Sequence, residues 1–394
     1  MRLKKLRNDM SLKSKRVLVR IDANVPIKMG KAVDGPHGRI ARSAVGINWL
    51  LQRGAKVIVM THLGRPNGRR VSAYSVKPIA KRLSSLLGCK VKLARSIIGK
   101  DVQKQVELLG DGEVLLLENL RFDSREKEND ASFASALAKL ADLYVNDAFS
   151  VSHREHASID AITSELPSYA GPLLSNEVSV LSKLGVNSKR PFVLTLGGLK
   201  MTTKIPIIEH FASQIDAVLL GGALSTAFFV AQGLAVGKSV YEKKAVASAE
   251  RIMKVAEGKI FLPTDVVVVR ALRKDAKQEI VPVDQIQAVH RIVDLGPETI
   301  AEYVGQIEKA KTVVWNGPLG YCEIPTFCGA TRQVAKAIAD RTGKATTIVG
   351  GGDTMPAIEN LGLADQFTLL STGGGALLQF LAGDKLPGVE TLKL

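Results

Sequence analysis

The sequence predicts an α/β fold built on mainly parallel sheets and repeated in two domains. Short β-branched runs recur between helix-length amphipathic stretches. The strand candidates are almost wholly apolar, as in sheets covered by helices on both faces. The alternation then starts a second time about halfway along 394 residues, more than one core usually organises.

The first strand is expected over 16–21, a helix over 43–53 ending at Gly54, and a second strand over 56–60. A helix over 76–87 follows, then strands over 90–93 and 114–117, a helix over 129–140 and a strand over 143–146. Leu174, Val178, Leu181 and Leu184 share one helical face, which predicts a connecting helix over 173–184, ended by 185–188. The second cycle has strands over 192–196, 217–220, 259–262, 312–315, 346–349 and 368–370. Helices over 205–213, 245–257 and 331–341 lie between them, and the domain boundary falls near residue 185.

Composition narrows the function. Lys and Arg number 54 against 38 Asp and Glu, a net charge of +16 that concentrates anionic ligands. These cations are scattered rather than gathered in a tail, and aromatic residues are only 5%, which argues against specific nucleic-acid binding. Residues 1–9 lack the apolar core of a signal peptide, and no apolar run is long enough for a membrane. Cys89, Cys322 and Cys328 make neither a zinc pattern nor a disulfide framework, so a reduced cytoplasmic setting is expected.

Ligands of parallel sheets gather at the carboxyl ends of strands. In the first half those ends carry Asp22, Asn24, His62, Arg65, Arg121 and Arg154, with Arg39 nearby. Guanidinium forks grip phosphate or carboxylate, while Asp and Asn suit hydroxyl recognition or an Asx turn. Glu118 could instead pair with Arg121 as a structural bridge, and His153 and His156 could share a helix face. In the second half the strand ends carry Gly197-Gly198, Gly221-Gly222, Asn316-Gly317-Pro318, Gly350-Gly351-Gly352-Asp353-Thr354 and Ser371-Thr372-Gly373-Gly374-Gly375. Glycine turns let backbone N–H groups approach phosphates. Lys200 and Lys204, four apart, suit one helical face, and Glu323 could hold ribose hydroxyls. Residues 233–239 fall one short of a P-loop and are set aside. Anion grips in one half and phosphate cradles in the other read as a phosphotransferase.

With these motifs in order, the chain resembles the phosphoglycerate kinase family over essentially its whole length. The matching segments are Asp22-Ala-Asn-Val-Pro26, His62-Leu-Gly-Arg-Pro66, Glu118-Asn-Leu-Arg-Phe122, Asn146-Asp-Ala-Phe149 with His153-Arg154, Trp315-Asn-Gly-Pro318, Gly350-Gly-Gly-Asp-Thr354 and Ser371-Thr-Gly-Gly-Gly-Ala376. The resemblance implies two Rossmann-like three-layer α/β/α domains: 1–172 with 380–394 for 3-phosphoglycerate, 189–379 for nucleotide, and a hinge helix at 173–188. It implies transfer between 1,3-bisphosphoglycerate and ADP to give 3-phosphoglycerate and ATP, by a cytoplasmic monomer with no nucleic-acid or membrane partner. The glycerate ligand falls to Asp22, Asn24, Arg39, His62, Arg65, Arg121 and Arg154. Nucleotide contacts fall to Lys200, Lys204, Gly221, Gly222, Asn316, Pro318, Glu323 and the loop Gly350, Gly351, Gly352, Asp353 and Thr354. Arg39, Lys200, Lys204, Gly351 and Gly374 are expected at the transferred group, with Mg2+ on Asp353, directly or through water.

The sequence departs from the family pattern at Ala23, Ser150, Leu199 and Ala223, and across Leu174-Ser-Asn-Glu-Val178. A different carboxylate kinase is the leading alternative. A nicotinamide-dependent oxidoreductase is disfavoured, because no GxGxxG follows the first strand.

Overall fold

The computed structural model describes residues 1–7, 9–184 and 188–394. The chain divides into two compact units, Met1–Ser182 with Lys385–Leu394, and Lys183–Asp384. The expected helix ending at 185–188 lies partly outside the described residues.

The first unit runs β1 (Arg16–Ile21), a short hairpin of β2 (Ile27–Lys28) and β3 (Lys31–Ala32), α1 (Arg39–Leu51), β4 (Lys56–Met60) and α2 (Lys77–Leu87). It continues with β5 (Val91–Leu93), α3 (Lys100–Glu107), β6 (Val114–Leu116), α4 (Ala131–Ala138), β7 (Leu143–Asp147), β8 (Ser168–Ala170) and α5 (Pro172–Leu181). Six strands form one parallel sheet in the order β5-β6-β4-β1-β7-β8. Successive side chains of a strand point to opposite faces. Val17, Val19 and Ile21 therefore pack with Ile40 and Ile47 of α1 and Ile79 of α2, while Leu18 packs with Val106, Phe133 and Leu137. Two buried faces explain why β1 reads as almost continuously apolar. Arg20 is the exception, buried on the Leu18 face.

The second unit contains β9 (Phe192–Leu196), α6 (Ile205–Phe211), β10 (Ala217–Leu220), α7 (Gly222–Ala231), α8 (Val246–Val255), β11 (Ile260–Phe261), β12 (Asp265–Val269), β13 (Glu279–Pro282) and β14 (Arg291–Leu295). Then come α9 (Pro297–Lys309), β15 (Thr312–Asn316), α10 (Gly329–Ala339), β16 (Thr346–Gly350), α11 (Met355–Asn360), β17 (Leu369–Ser371) and α12 (Gly375–Leu381). Its parallel sheet has the order β11-β10-β9-β15-β16-β17, so the winding reverses between β9 and β15. Such a reversal opens a crevice at the strand ends. A separate antiparallel sheet, β13-β12-β14, is not anticipated by the sequence reading, which assigns no strand between 263 and 311.

The chain then returns to the first unit through α13 (Pro387–Glu390). Lys4 N donates to Leu392 O at 2.8 Å, Gly388 N to Ser152 O at 2.9 Å, and Asn146 Nδ2 to Gly388 O at 3.1 Å. Leu386, Val389 and Leu392 are buried there.

Two expectations need correction. Helix α1 begins at Arg39 rather than at 43, because the Asp34 carboxylate accepts from Ile40 N and Ala41 N, both at 3.0 Å, and caps the extra turn. Cys322 and Cys328 are also paired, with Cα atoms 4.6 Å apart, within the disulfide range. Their spacing alone does not reveal that the segment between them closes on itself. Among the described residues, no helix is long and apolar enough to cross a membrane. Thiol titration of the unreduced, denatured protein should count one thiol per chain, that of Cys89. A count of three would remove the bridge.

Candidate active site

At the carboxyl ends of β1, β4, β6 and β7 a group of cations is held by a dense backbone scaffold. Asp22 follows β1, and its Oδ2 lies 2.9 Å from Arg39 Nη1, which also donates to Asn24 O at 3.1 Å. Asn24 Oδ1 accepts from Gly64 N at 2.9 Å and so ties the first loop to the turn that carries Arg65. Thr61 Oγ1 accepts from Ala23 N at 3.1 Å and donates to Ile21 O at 3.0 Å. Asn119 binds Leu63 through both N–H and C=O and donates to Tyr74 O at 2.9 Å. Arg121 donates to Gly64 O at 2.6 Å, while its buried Nε has no partner.

These loops crowd like charges. Burial is the main cause lowering the Arg121 pKa to about 10, followed by the charges of Arg154 and Arg20. Arg154 is likewise lowered by burial, then by Arg20 and Arg65. His62 is driven well below the ordinary histidine range by burial and by the charges of Arg20, Arg121, Arg154 and His156. Its ring is therefore neutral at physiological pH. Asp22 offsets only part of this positive field, so the cluster suits a small ligand with several negative charges.

In the second unit the ends of β9, β10, β15 and β16 interlock through their backbones. Gly197 N donates to Asn316 O at 3.0 Å, Gly198 N to Pro318 O at 2.8 Å, and Gly222 N to Leu319 O at 2.8 Å. A Cβ at Gly317, whose φ is +92°, would lie 2.4 Å from Gly197 O, so only glycine fits. Asn316 Nδ2 donates to Gly350 O at 3.0 Å, and Thr354 Oγ1 accepts from Gly317 N at 3.1 Å. Asn316 and Thr354 are buried and shape the turns. By contrast, a Cβ at Gly352 or Gly374 would meet no atom within 4 Å, which leaves open space beside those backbones. A cleft lined by Gly198, Ala223, Val240, Leu272, Leu319 and Glu323 opens here, and Asp353 lies on its rim. Lys204 is buried, and its pKa is lowered first by burial, against an opposing attraction from Asp353.

Several local expectations change. Lys200 and Lys204 flank the short 3-10 turn Met201–Thr203 rather than sharing a helix face: Lys200 precedes it and Lys204 leads into α6. Glu118 does not pair with Arg121; it accepts from Ser75 Oγ at 2.7 Å and from Asn119 N at 2.9 Å. His153 and His156 lie in turns after the 3-10 turn Phe149–Val151, where Arg154 Nε donates to His153 Nε2 at 3.2 Å and His156 faces Glu126. The segment set aside as a P-loop is indeed none: the Gly237 turn packs on the antiparallel sheet, with Lys238 N donating to His290 O at 2.7 Å. Sequence reasoning gave no role to Arg20, Thr61 or Asn119 and missed the apolar walls Val240 and Leu272. A lone arginine inside an apolar strand was the available signal for Arg20.

A family model described as phosphoglycerate kinase matches residues 7–384. The chain belongs to the phosphoglycerate kinase family. It is similar to the phosphoglycerate kinase of Thermomicrobium roseum, 45% identical over 387 residues and covering 98% of each chain. Among solved structures, it resembles phosphoglycerate kinase from Pyrococcus horikoshii at a TM-score of 0.88 and 31% identity, covering 99% of this chain and 98% of that one. The Coxiella burnetii phosphoglycerate kinase structure matches at 0.85 and 37% identity, over 98% and 97% of the two chains.

The departures from the family pattern now have local meanings. Ser150 Oγ donates to Asp22 Oδ2, a contact that glycine could not make. Ala23 is fully buried, leaving its volume to neighbours such as Ile21 and Leu63 in the same core. Leu199 and Ala223 line the cleft of the second unit.

Burial, with help from Arg154 and His156, lowers the His153 pKa to about 4. Unfolded histidine takes up a proton below about 6.5, so between there and 4 the unfolded chain binds the proton and the folded one does not. His153 therefore destabilises the fold increasingly as pH falls through that window. His153→Gln should lose less stability than the parent between about pH 7 and 5 in denaturant unfolding. Equal losses would rule this out.

Proposed function

We propose a division of labour for the phosphoglycerate kinase reaction, transfer of a phosphoryl group between 1,3-bisphosphoglycerate and ADP to give 3-phosphoglycerate and ATP. The observation that carries it is the partly uncompensated arginine cluster around His62. Arg39, Arg65, Arg121 and Arg154 would grip the phosphate and carboxylate of the acid, and Asp22, Asn24 and neutral His62 would meet its polar groups. Arg121 Nε, buried without a partner, is a ready donor. In the second unit, the cleft at the β9/β15 reversal would take the nucleotide. Val240, Leu272 and Leu319 give its apolar wall, Glu323 a carboxylate for ribose, and the 350–354 turn its phosphate end.

Phosphoryl transfer needs positioning and charge stabilisation more than acid–base chemistry. The carboxylate and the ADP phosphate are competent nucleophiles once aligned in line. Lys204, Lys200, Arg39 and the backbone at Gly351 and Gly374 are assigned to the charge that spreads over the migrating group. Asp353 suits Mg2+, since that ion is commonly held by one or two carboxylates completed by substrate phosphates and water. Bound there, Mg2+ would neutralise phosphate charge. Transfer without a covalent relay also needs both ligands in one water-poor space.

A coupled assay supplying 3-phosphoglycerate, ATP and Mg2+ tests the substrate assignment; turnover only with another carboxylic acid would overturn it. Arg39→Ala should lower kcat roughly a hundredfold or more, about 3–4 kcal/mol of lost transition-state stabilisation. An unchanged kcat would remove Arg39 from the transferred group.

A further inference from the structure

Arg20 belongs to the first strand yet is only 1% exposed, and the division of labour proposed above gives it no task. Its Nη2 lies 3.0 Å from His62 Nδ1, its Nε donates to Ser158 Oγ at 3.0 Å, and its Nη1 donates to Ile21 O. Behind it, Ser158 Oγ donates to Glu126 Oε1 at 2.6 Å, and Ser158 N donates to the other oxygen of that carboxylate at 3.0 Å. Glu126 is fully buried and His156 Nδ1 stands 3.7 Å from it. The result is a closed polar chain, Glu126–Ser158–Arg20–His62, inside an apolar layer.

A guanidinium has five N–H donors and no acceptor. Nδ1 of His62 must therefore accept, and the proton of a neutral ring must sit on Nε2. We propose that Arg20, supported by Ser158 and Glu126, is a positioning residue that fixes His62 in its Nε2–H tautomer, so that the ring presents a neutral donor to the acidic substrate. A protonated ring would set one N–H against another at Arg20. The charged groups acting on His62, namely Arg20, Arg121, Arg154 and His156, all disfavour protonation as well. Glu126 supplies the negative charge that lets Arg20 stay buried, and Ser158 carries the link because it both accepts and donates.

This inference rests on the glycerate reading for its effect on substrate, but the tautomer itself is measurable without substrate. Long-range 1H–15N NMR of the nitrogen-15-labelled full chain should show His62 protonated at Nε2 alone, with no titration as pH falls through the ordinary histidine range. Arg20→Gln should admit the other tautomer or a titrating ring. It should also raise KM for 3-phosphoglycerate about tenfold or more while leaving KM for ATP unchanged. Ser158→Ala, a smaller change that keeps Arg20, should shift the His62 signals in the same direction with a weaker KM effect. A proton on Nδ1 in the parent protein would overturn the proposal. So would either folded variant that keeps the parent His62 spectrum while losing affinity. A wrong substrate assignment would appear differently, as absent turnover with 3-phosphoglycerate beside an intact Nε2–H signature.

Discussion

Repulsion among arginines is the constraint around which the first unit is organised. Beyond the effect of burial, the charges of Arg154, Arg20 and Arg65 lower the proton affinity of Arg121, and those of Arg20 and Arg65 lower that of Arg154. Such crowding does not assemble unaided. The parallel sheet supplies the assembly energy elsewhere, by burying Val17, Leu18, Val19 and their partners on both faces. Hydrogen bonds from Asn24, Thr61 and Asn119 then lock the loops at a spacing the charges themselves oppose. A multiply charged anion placed there would relieve that repulsion.

In the proposed reading the second unit would meet phosphates with a different device. Its strand ends approach so closely that side chains are excluded, as at Gly197 and Gly317. What remains are backbone dipoles, the exposed turn at Gly352 and Asp353, and the buried Lys204. One unit would thus read its ligand with forks of fixed charge, and the other with the shape of its backbone. The β9/β15 reversal sets the second arrangement in the same way that β1 and its neighbours set the first.

Much of this was legible in the sequence because it obeys short-range rules. Parallel strands covered on both faces have a characteristic composition, and the motifs sit where those strands stop. Arg39, His62, Arg121 and Arg154 could be singled out for that reason. What escaped depends on tertiary contacts that periodicity does not encode. Asp34 lengthens α1 from outside the helix, and the Cys322–Cys328 loop closes through its own path. Glu118 serves Ser75 and Asn119 rather than its near neighbour Arg121, and the 3-10 turn after Lys200 breaks the helical register presumed between the two lysines. The apolar cleft walls come from segments with no motif of their own.

The return of 385–394 to the first unit has a consequence for biosynthesis. Asn146 and Ser152, at the edge of the anion site, take hydrogen bonds from or give them to Gly388. A nascent chain on the ribosome can lay down the sheet around β1 early, yet it lacks these contacts until the second unit has been translated. Domains commonly fold in order of emergence. Here the amino-terminal unit would start first and be completed last, once the second unit has been made.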